Sequence, residues 1–271
     1  MKFLMNFIKG IVIGVSMLVP GVSGGTMAII FGIYDDLIHA VGSFFEDWKK
    51  HSKLLIQLAL GGIVGVLLFS RMIEKILGKF PIIMGFFFIG IVCGGIPTLY
   101  KKATIGNKKS SDIIFLILGL IIAILLSKDP EAISVMATAG DSKGLIFLFI
   151  AGIVISVAFI LPGLSTSFML LILGLYNVTL NAINTFNIKF LVPMILGIFI
   201  GTIATSKIIE ISLNRYPNKT YMMILGFVIG SIIPIYPGMP NGINILYSII
   251  SLIVGFLIIY YISKVSDIIN W

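Results

Sequence analysis

Gly10-Ile-Val-Ile-Gly-Val-Ser-Met-Leu-Val-Pro-Gly-Val-Ser23 reappears as Gly152-Ile-Val-Ile-Ser-Val-Ala-Phe-Ile-Leu-Pro-Gly-Leu-Ser165, 142 residues further on. The register holds through Met27 with Met169, Gly32 with Gly174 and Tyr34 with Tyr176. A loop shorter by six residues then resets the offset to 136. At that offset Gly61 and Gly65 match Gly197 and Gly201, Ser70 matches Ser206, and Arg71 and Glu74 match Lys207 and Glu210. Pro81 matches Pro217, and Gly90, Gly94 and Gly119 match Gly226, Gly230 and Gly255. So many glycines, prolines and charges in one register mean a duplication, with halves 1–135 and 136–271.

The medium follows from composition. Of 271 residues, 58% are hydrophobic and 11% charged, against roughly 25% charged in a soluble domain. Long charge-free runs (Gly10 to Tyr34, Leu54 to Ser70, Phe80 to Tyr100, Ile113 to Ser127, Gly144 to Ile188, Phe190 to Ser206, Thr220 to Ser263) separate the charges. A spanning helix takes about 20 apolar residues. The runs lack the alternation of a membrane barrel, so the backbone must satisfy itself as helix. Each half therefore predicts a Pro-Gly-broken helix hairpin and three transmembrane helices. Those lie near 54–77, 81–100 and 112–127 in the first half, and 190–213, 219–236 and 243–263 in the second. The fold class is an all-α polytopic membrane protein, its two halves forming one integral membrane domain. The apolar start has Lys2 and Lys9 but no small-residue cleavage site, and is read as retained. Cys93, the single cysteine, leaves no disulfide. The net charge of +8 fits basic cytoplasmic loops rather than nucleic-acid binding.

Charge placement sets the expected topology. If both Pro-Gly elements return to their own side, the halves are inverted. One face then holds Lys2, Lys9, Lys49, Lys50, Lys53, Lys101, Lys102, Lys108, Lys109, Lys207, Arg215, Lys219 and Lys264, and the other Arg71, Lys75, Lys79, Lys128, Lys143 and Lys189. The split is 13 against 6; parallel halves give only 11 against 8. The positive-inside rule selects the inverted arrangement, with both termini cytoplasmic.

Pro20, Gly21, Ser23, Gly24, Gly25 and Thr26 in the first half, and Pro162, Gly163, Ser165, Thr166 and Ser167 in the second, break apolar helices. Helices restarting at Ser23 and Ser165 offer backbone N–H groups and hydroxyls to an anion. Discontinuous helices in inverted repeats are a transporter arrangement; a kink that lets helices pack closely is the structural alternative. Arg71 and Lys207 are candidate guides for an anion, and Glu74 and Glu210, each three residues from a base, are candidate proton carriers. Their alternative is an ion pair that snorkels to the interface. Asp35, Asp36, His39 and His51 are expected in a solvated segment after the first hairpin, as are Asp129, Glu131 and Asp141 in the loop from Lys128 to Lys143.

The stretch Val19-Pro-Gly-Val-Ser-Gly-Gly-Thr-Met-Ala-Ile-Ile-Phe-Gly-Ile-Tyr-Asp-Asp36 resembles the bacterial polyprenyl-phosphate transporter family. Leu161-Pro-Gly-Leu-Ser-Thr-Ser-Phe-Met169 fits the same family, and the likeness covers nearly the whole chain. The resemblance implies a flippase of the bacterial cytoplasmic membrane that returns undecaprenyl phosphate to the cytoplasmic leaflet for cell-wall synthesis, without a cofactor. The competing readings are a polyprenyl-pyrophosphate phosphatase and a transporter of a small soluble anion. Hydrolysis needs an acid, base, nucleophile or metal converging on phosphate, and neither hairpin tip carries His, Asp, Glu, Arg or Cys. The residues do not separate a lipid carrier from a carrier of a soluble anion.

The inverted arrangement makes a labelling prediction. On a background lacking Cys93, cysteines at positions 48 and 105 react from the cytoplasm and one at 136 from outside. Labelling of 48 and 136 from the same side contradicts inversion.

Overall fold

The computed structural model describes residues 2–18, 23–105, 110–126, 142–164, 166, 169–170, 173, 175, 178–179, 181–182 and 185–269. Most of these are helical, with no strand among them. In the first half α1 runs Lys2–Met17, α2 Gly24–Ile30, α3 Tyr34–Gly42, α4 Trp48–Lys79, α5 Pro81–Ala103 and α6 Ile113–Leu126. In the second, α7 is Ser142–Ile160, α8 Ile188–Arg215, α9 Pro217–Gly230, α10 Ile232–Ile235 and α11 Asn244–Ile269. Among the described residues, five segments are long and apolar enough to cross a membrane: Trp48–Lys79, Pro81–Ala103, Ile188–Arg215, Pro217–Ile235 and Asn244–Lys264. The sixth expected crossing, 112–127, is described as α6 over Ile113–Leu126, and the residues after it lie outside the described ones. α6 has 14 described residues, about 21 Å of helix against a hydrocarbon core of about 30 Å.

Local signals account for the boundaries. Asp47 caps α4, its carboxylate accepting from the backbone N–H of Lys50 at 3.2 Å, and Asn187 caps α8 through Phe190 N–H at 3.3 Å. Pro81 and Pro217 begin α5 and α9, where the missing N–H costs nothing. The residue before each proline joins two helices in nearly the same conformation, Phe80 at φ −134°, ψ 56° and Tyr216 at φ −139°, ψ 57°.

Packing repeats as well. Gly10 on α1 lies against Gly61 on α4, and their counterparts Gly152 on α7 and Gly197 on α8 meet in the same way. A methyl group on any of the four would run into a backbone atom of the facing helix. With lipid outside, close approach of backbones is what joins such helices. The other repeated pair is exchanged between halves. Gly90 on α5 packs on α11, which carries Gly255, whereas Gly119 on α6 packs on α9, which carries Gly226. Each half thus supplies the partner for the other's inner helix, and the halves interlock. The buried core joins α2, α5 and α9 in one cluster and α7 with α8 in a second. α4, α8 and α11 turn apolar side chains outward, Leu67 being 71% and Ile208 65% exposed. A surface of that kind is matched to lipid.

Crowding at the crossings predicts opposite effects for two substitutions on one helix. Gly61→Ala drives its methyl into the carbonyl of Phe7 and lowers stability by about 1–3 kcal/mol. Gly78→Ala meets nothing within 4 Å and is neutral or stabilising by up to about 1 kcal/mol. Thermal midpoints of the detergent-purified variants read the difference. A Gly61→Ala midpoint at or above that of Gly78→Ala contradicts the crossing.

Candidate functional site

The first break doubles the chain back. Ser23 caps α2 in extended conformation, its Oγ accepting from Gly25 N–H at 3.2 Å. Gly24 faces Ile13 and Met17 near the end of α1. At the other end of α2 the buried Lys9 donates its Nζ to the carbonyl of Phe31 at 3.2 Å. α2 therefore runs antiparallel to α1, with a cation on its carbonyl end as the helix dipole favours. Seven residues make about 10 Å of helix, too short to span.

The second break meets the first. α7 stops at Ile160, and Gly163 takes φ +85°, a conformation that favours glycine. A side chain on Gly163 would also sit 2.6 Å from the backbone of Phe227 and Val228 on α9. Gly25 lies against Ile160 and Pro162, and the fully buried Tyr34 donates its hydroxyl to the carbonyl of Ile160 at 3.3 Å. Two motifs 142 residues apart in sequence thus share one place.

Several predicted site residues are placed and others are not. Ser23, Gly25 and Thr26 are buried, Pro162 and Gly163 are buried, and Thr166 is half-buried. Pro20, Gly21, Ser165, Ser167 and the side chain of Glu74 lie outside the described residues, as does the loop from Lys128 to Asp141. The expected open row of N–H groups at Ser23 is corrected in one respect: the serine's own oxygen already takes Gly25 N–H. Arg71 is exposed on α4, 20 residues and so about 30 Å along the helix from His51.

Lys207 and Glu210 stand in a polar cluster instead. They pair at 3.3 Å. Glu210 also bonds the imidazole Nδ1 of His39 and accepts from Ser43 Oγ at 3.4 Å. Lys207 donates to Ser43 Oγ at 2.9 Å and to Glu46 at 3.1 Å. Gly42 lets α3 approach this closely, since a methyl group there would lie 3.1 Å from the backbone nitrogen of Lys207. Alongside, Tyr221 of α9 donates to Asp35 at 2.5 Å, and Lys102 of α5 reaches both Asp35 and the Tyr221 oxygen at 3.2 Å. His51 is buried and packs edge-on against His39. The segment expected to be solvated keeps Asp35, Asp36 and His39 exposed, buries His51, and is also held onto α5, α8 and α9 by these bonds. Its signal was in the sequence: Asp35, His39 and Ser43 recur every four residues and share one helix face. The Lys207 ammonium holds the Glu46 carboxyl below the usual carboxylate range. Their bond is present above that range and is lost as pH falls through the lowered value.

A family model described as undecaprenyl phosphate translocase-like matches residues 13–248. The chain is a member of the undecaprenyl phosphate translocase-like family. It is 32% identical over 274 residues to a polyprenyl-phosphate transporter of Staphylococcus aureus, covering 96% of each chain. It is 32% identical over 251 residues to a polyprenyl-phosphate transporter of Vibrio cholerae, covering 88% of this chain and 79% of that one. No solved structure matches this member of the family.

Proposed function

We propose that this membrane protein carries undecaprenyl phosphate from the outer to the cytoplasmic leaflet. The observation that carries the reading is end-to-end similarity to relatives named polyprenyl-phosphate transporters, within a bundle where Gly25 of the first motif lies against Pro162 of the second. An ionised phosphate crossing hydrocarbon unaided costs on the order of tens of kcal/mol, whereas the polyprenyl tail stays in lipid. The protein has only to shelter the head group. Ser23, Gly24, Gly25 and Thr26, with Ser165, Thr166 and Ser167, are the proposed contacts, and Arg71 and Lys207 guide the anion at opposite ends. The role is that of a carrier and not of a phosphatase.

Inverted halves are part of this reading. Lys207 pairs with Glu46, and Lys102 and Tyr221 with Asp35. Inversion puts all of these segments at one face, whereas parallel halves separate Glu46 and Asp35 from Lys207 and Tyr221 by the membrane. The pairs therefore support inversion. The antiparallel course of α1 and α2 supports a hairpin that returns to its own side.

In proteoliposomes, labelled polyprenyl phosphate is expected to move its head group between leaflets only when the protein is present. Ser23→Ala with Ser165→Ala weakens head-group binding by about tenfold, the loss of one or two hydrogen bonds to a charged group. Bulkier residues at Gly24 or Gly25 weaken it further. Binding unchanged across all these variants makes the breaks structural kinks only.

Inward return moves negative charge against the membrane potential, at about 2.3 kcal/mol per charge per 100 mV. Co-moving protons cancel that work, and we assign Glu74 and Glu210 to carry them. Glu210 touches His39, a half-exposed base, which supports its access to protons. Glu74→Gln with Glu210→Gln is expected to abolish the response of inward transport to an imposed pH gradient. A response that persists in the double variant removes both carboxylates from the coupling.

A further inference from the structure

Between α3, α8 and the start of α9 lies a cavity of about 280 Å³ whose polar wall is Asp35, His39, Glu210, Asn214 and Tyr221. We infer that this cavity is a docking site for a phosphate monoester. His39 and Tyr221 in its wall are donors, and Lys102 and Lys207, which pair with the wall residues Asp35 and Glu210, supply the cations. Asp35 and Glu210 are built-in anions that hold those donors in place when the phosphate is elsewhere. The choice of a lipid head group as occupant rests on the carrier reading above.

Each of the two wall carboxylates already gathers donors on both of its oxygens. Asp35 accepts on both oxygens, from the Tyr221 hydroxyl at 2.5 Å on one and from Lys102 at 3.2 Å on the other. Glu210 also accepts on both, from His39 on one and from Lys207 and Ser43 on the other. Two acceptor oxygens facing two donors are the shared geometry of a carboxylate and a phosphate. The cavity has the volume of several water molecules, at about 30 Å³ each, and so admits a phosphate with part of its hydration.

Exchange is cheap at one carboxylate and not at the other. The Asp35 side chain is 55% exposed, so it can swing into water and release Lys102 and Tyr221; exposed ion pairs contribute little. Glu210, 12% exposed, stays as the fixed wall that orients His39 and Lys207. A phosphate monoester brings about −1.5 to −2 charges where the carboxylate brought one, so it is the better partner for Lys102. The site is also not duplicated. At the repeat positions of Asp35, His39, Lys102 and Tyr221 stand Asn177, Asn181, Gly238 and Gly85. A docking site of this composition exists at one end of the path only.

The test measures binding of farnesyl phosphate and of inorganic phosphate to the purified full chain, with farnesol as control and the thermal midpoint as a check on folding. Lys102→Gln and Tyr221→Phe each weaken both phosphates by about fivefold or more, and Lys102→Arg retains binding. Asp35→Asn tightens both by about threefold, because the competing anion is gone. A damaged fold can only weaken binding, so the tightening is diagnostic. Weaker or unchanged binding in Asp35→Asn overturns the inference. Farnesyl phosphate that binds but ignores every cavity variant also overturns it, and leaves the carrier reading standing. Failure of the native chain to bind either phosphate overturns it too. If the variants alter inorganic phosphate alone, the phosphate site stands and the lipid head group is removed as its occupant.

Discussion

A helix that stops inside a membrane leaves carbonyls and N–H groups that hydrocarbon cannot satisfy. At the two helix ends beside the breaks, side chains of the protein take the free carbonyls. Where α7 ends, the carbonyl of Ile160 no longer has an intact helical turn above it and takes the hydroxyl of Tyr34. Where α2 ends, the carbonyl of Phe31 takes the amine of Lys9. Both donors come from the first half, and one of them serves the second. The breaks are thus stable because each lies within reach of donors held elsewhere, which requires the two halves to be in place together.

The interlock follows from the same economy. Helices in lipid gain little from burying apolar area against each other, so association depends on close contact along small-residue stripes. The duplicated glycines supply four such stripes. Two join helices within a half, α1 with α4 and α7 with α8, and two join helices across halves, α5 with α11 and α6 with α9. α5 and α9, the inner helices, carry the cross-half contacts and also Lys102 and Tyr221. The scaffold that closes the bundle therefore also aims the polar residues.

This division explains what the sequence could disclose. Helix positions, the breaks and the repeat were legible, because each rests on local chemistry: runs without charge, Pro-Gly inside an apolar helix, glycines at fixed spacing. Pro81 marked the start of α5, whereas the start of α4 at Trp48 lies six residues before the expected 54 because its cap, Asp47, sits in a charged stretch outside the apolar run. The polar cluster was not legible as a cluster. His39 and Glu210 are 171 residues apart, Tyr221 and Asp35 186, and Lys207 and Ser43 164. No local rule pairs them. The four-residue spacing of Asp35, His39 and Ser43 marked a polar face but did not say what covered it. Ser23 shows the converse. Its type and position announced an N-cap, and the cap it makes consumes part of the anion-binding capacity that the same residue type suggested.

On the inverted reading, duplication itself confers no direction, since a scaffold built twice in opposite senses presents the same path from either face. Direction has to come from residues that were not kept in duplicate. The backbone features that shape the path recur: the Pro-Gly breaks, the glycine stripes and the corners at Phe80 and Tyr216. The charged cluster does not, because amides and glycines replace Asp35, His39, Lys102 and Tyr221 at the matching positions. A charged motif that is retained, basic residue and glutamate three apart, meets a cluster of counter-charges at Lys207 and an exposed helix face at Arg71. On the inverted reading these are the two faces of the membrane. An anion arriving at Lys207 must compete with Glu46 and Glu210 for one ammonium, which favours a site that exchanges its occupant quickly. The asymmetry of the carrier is then written in exposed, exchangeable ion pairs, which cost the fold little and can change partners without unpacking the helices beneath them.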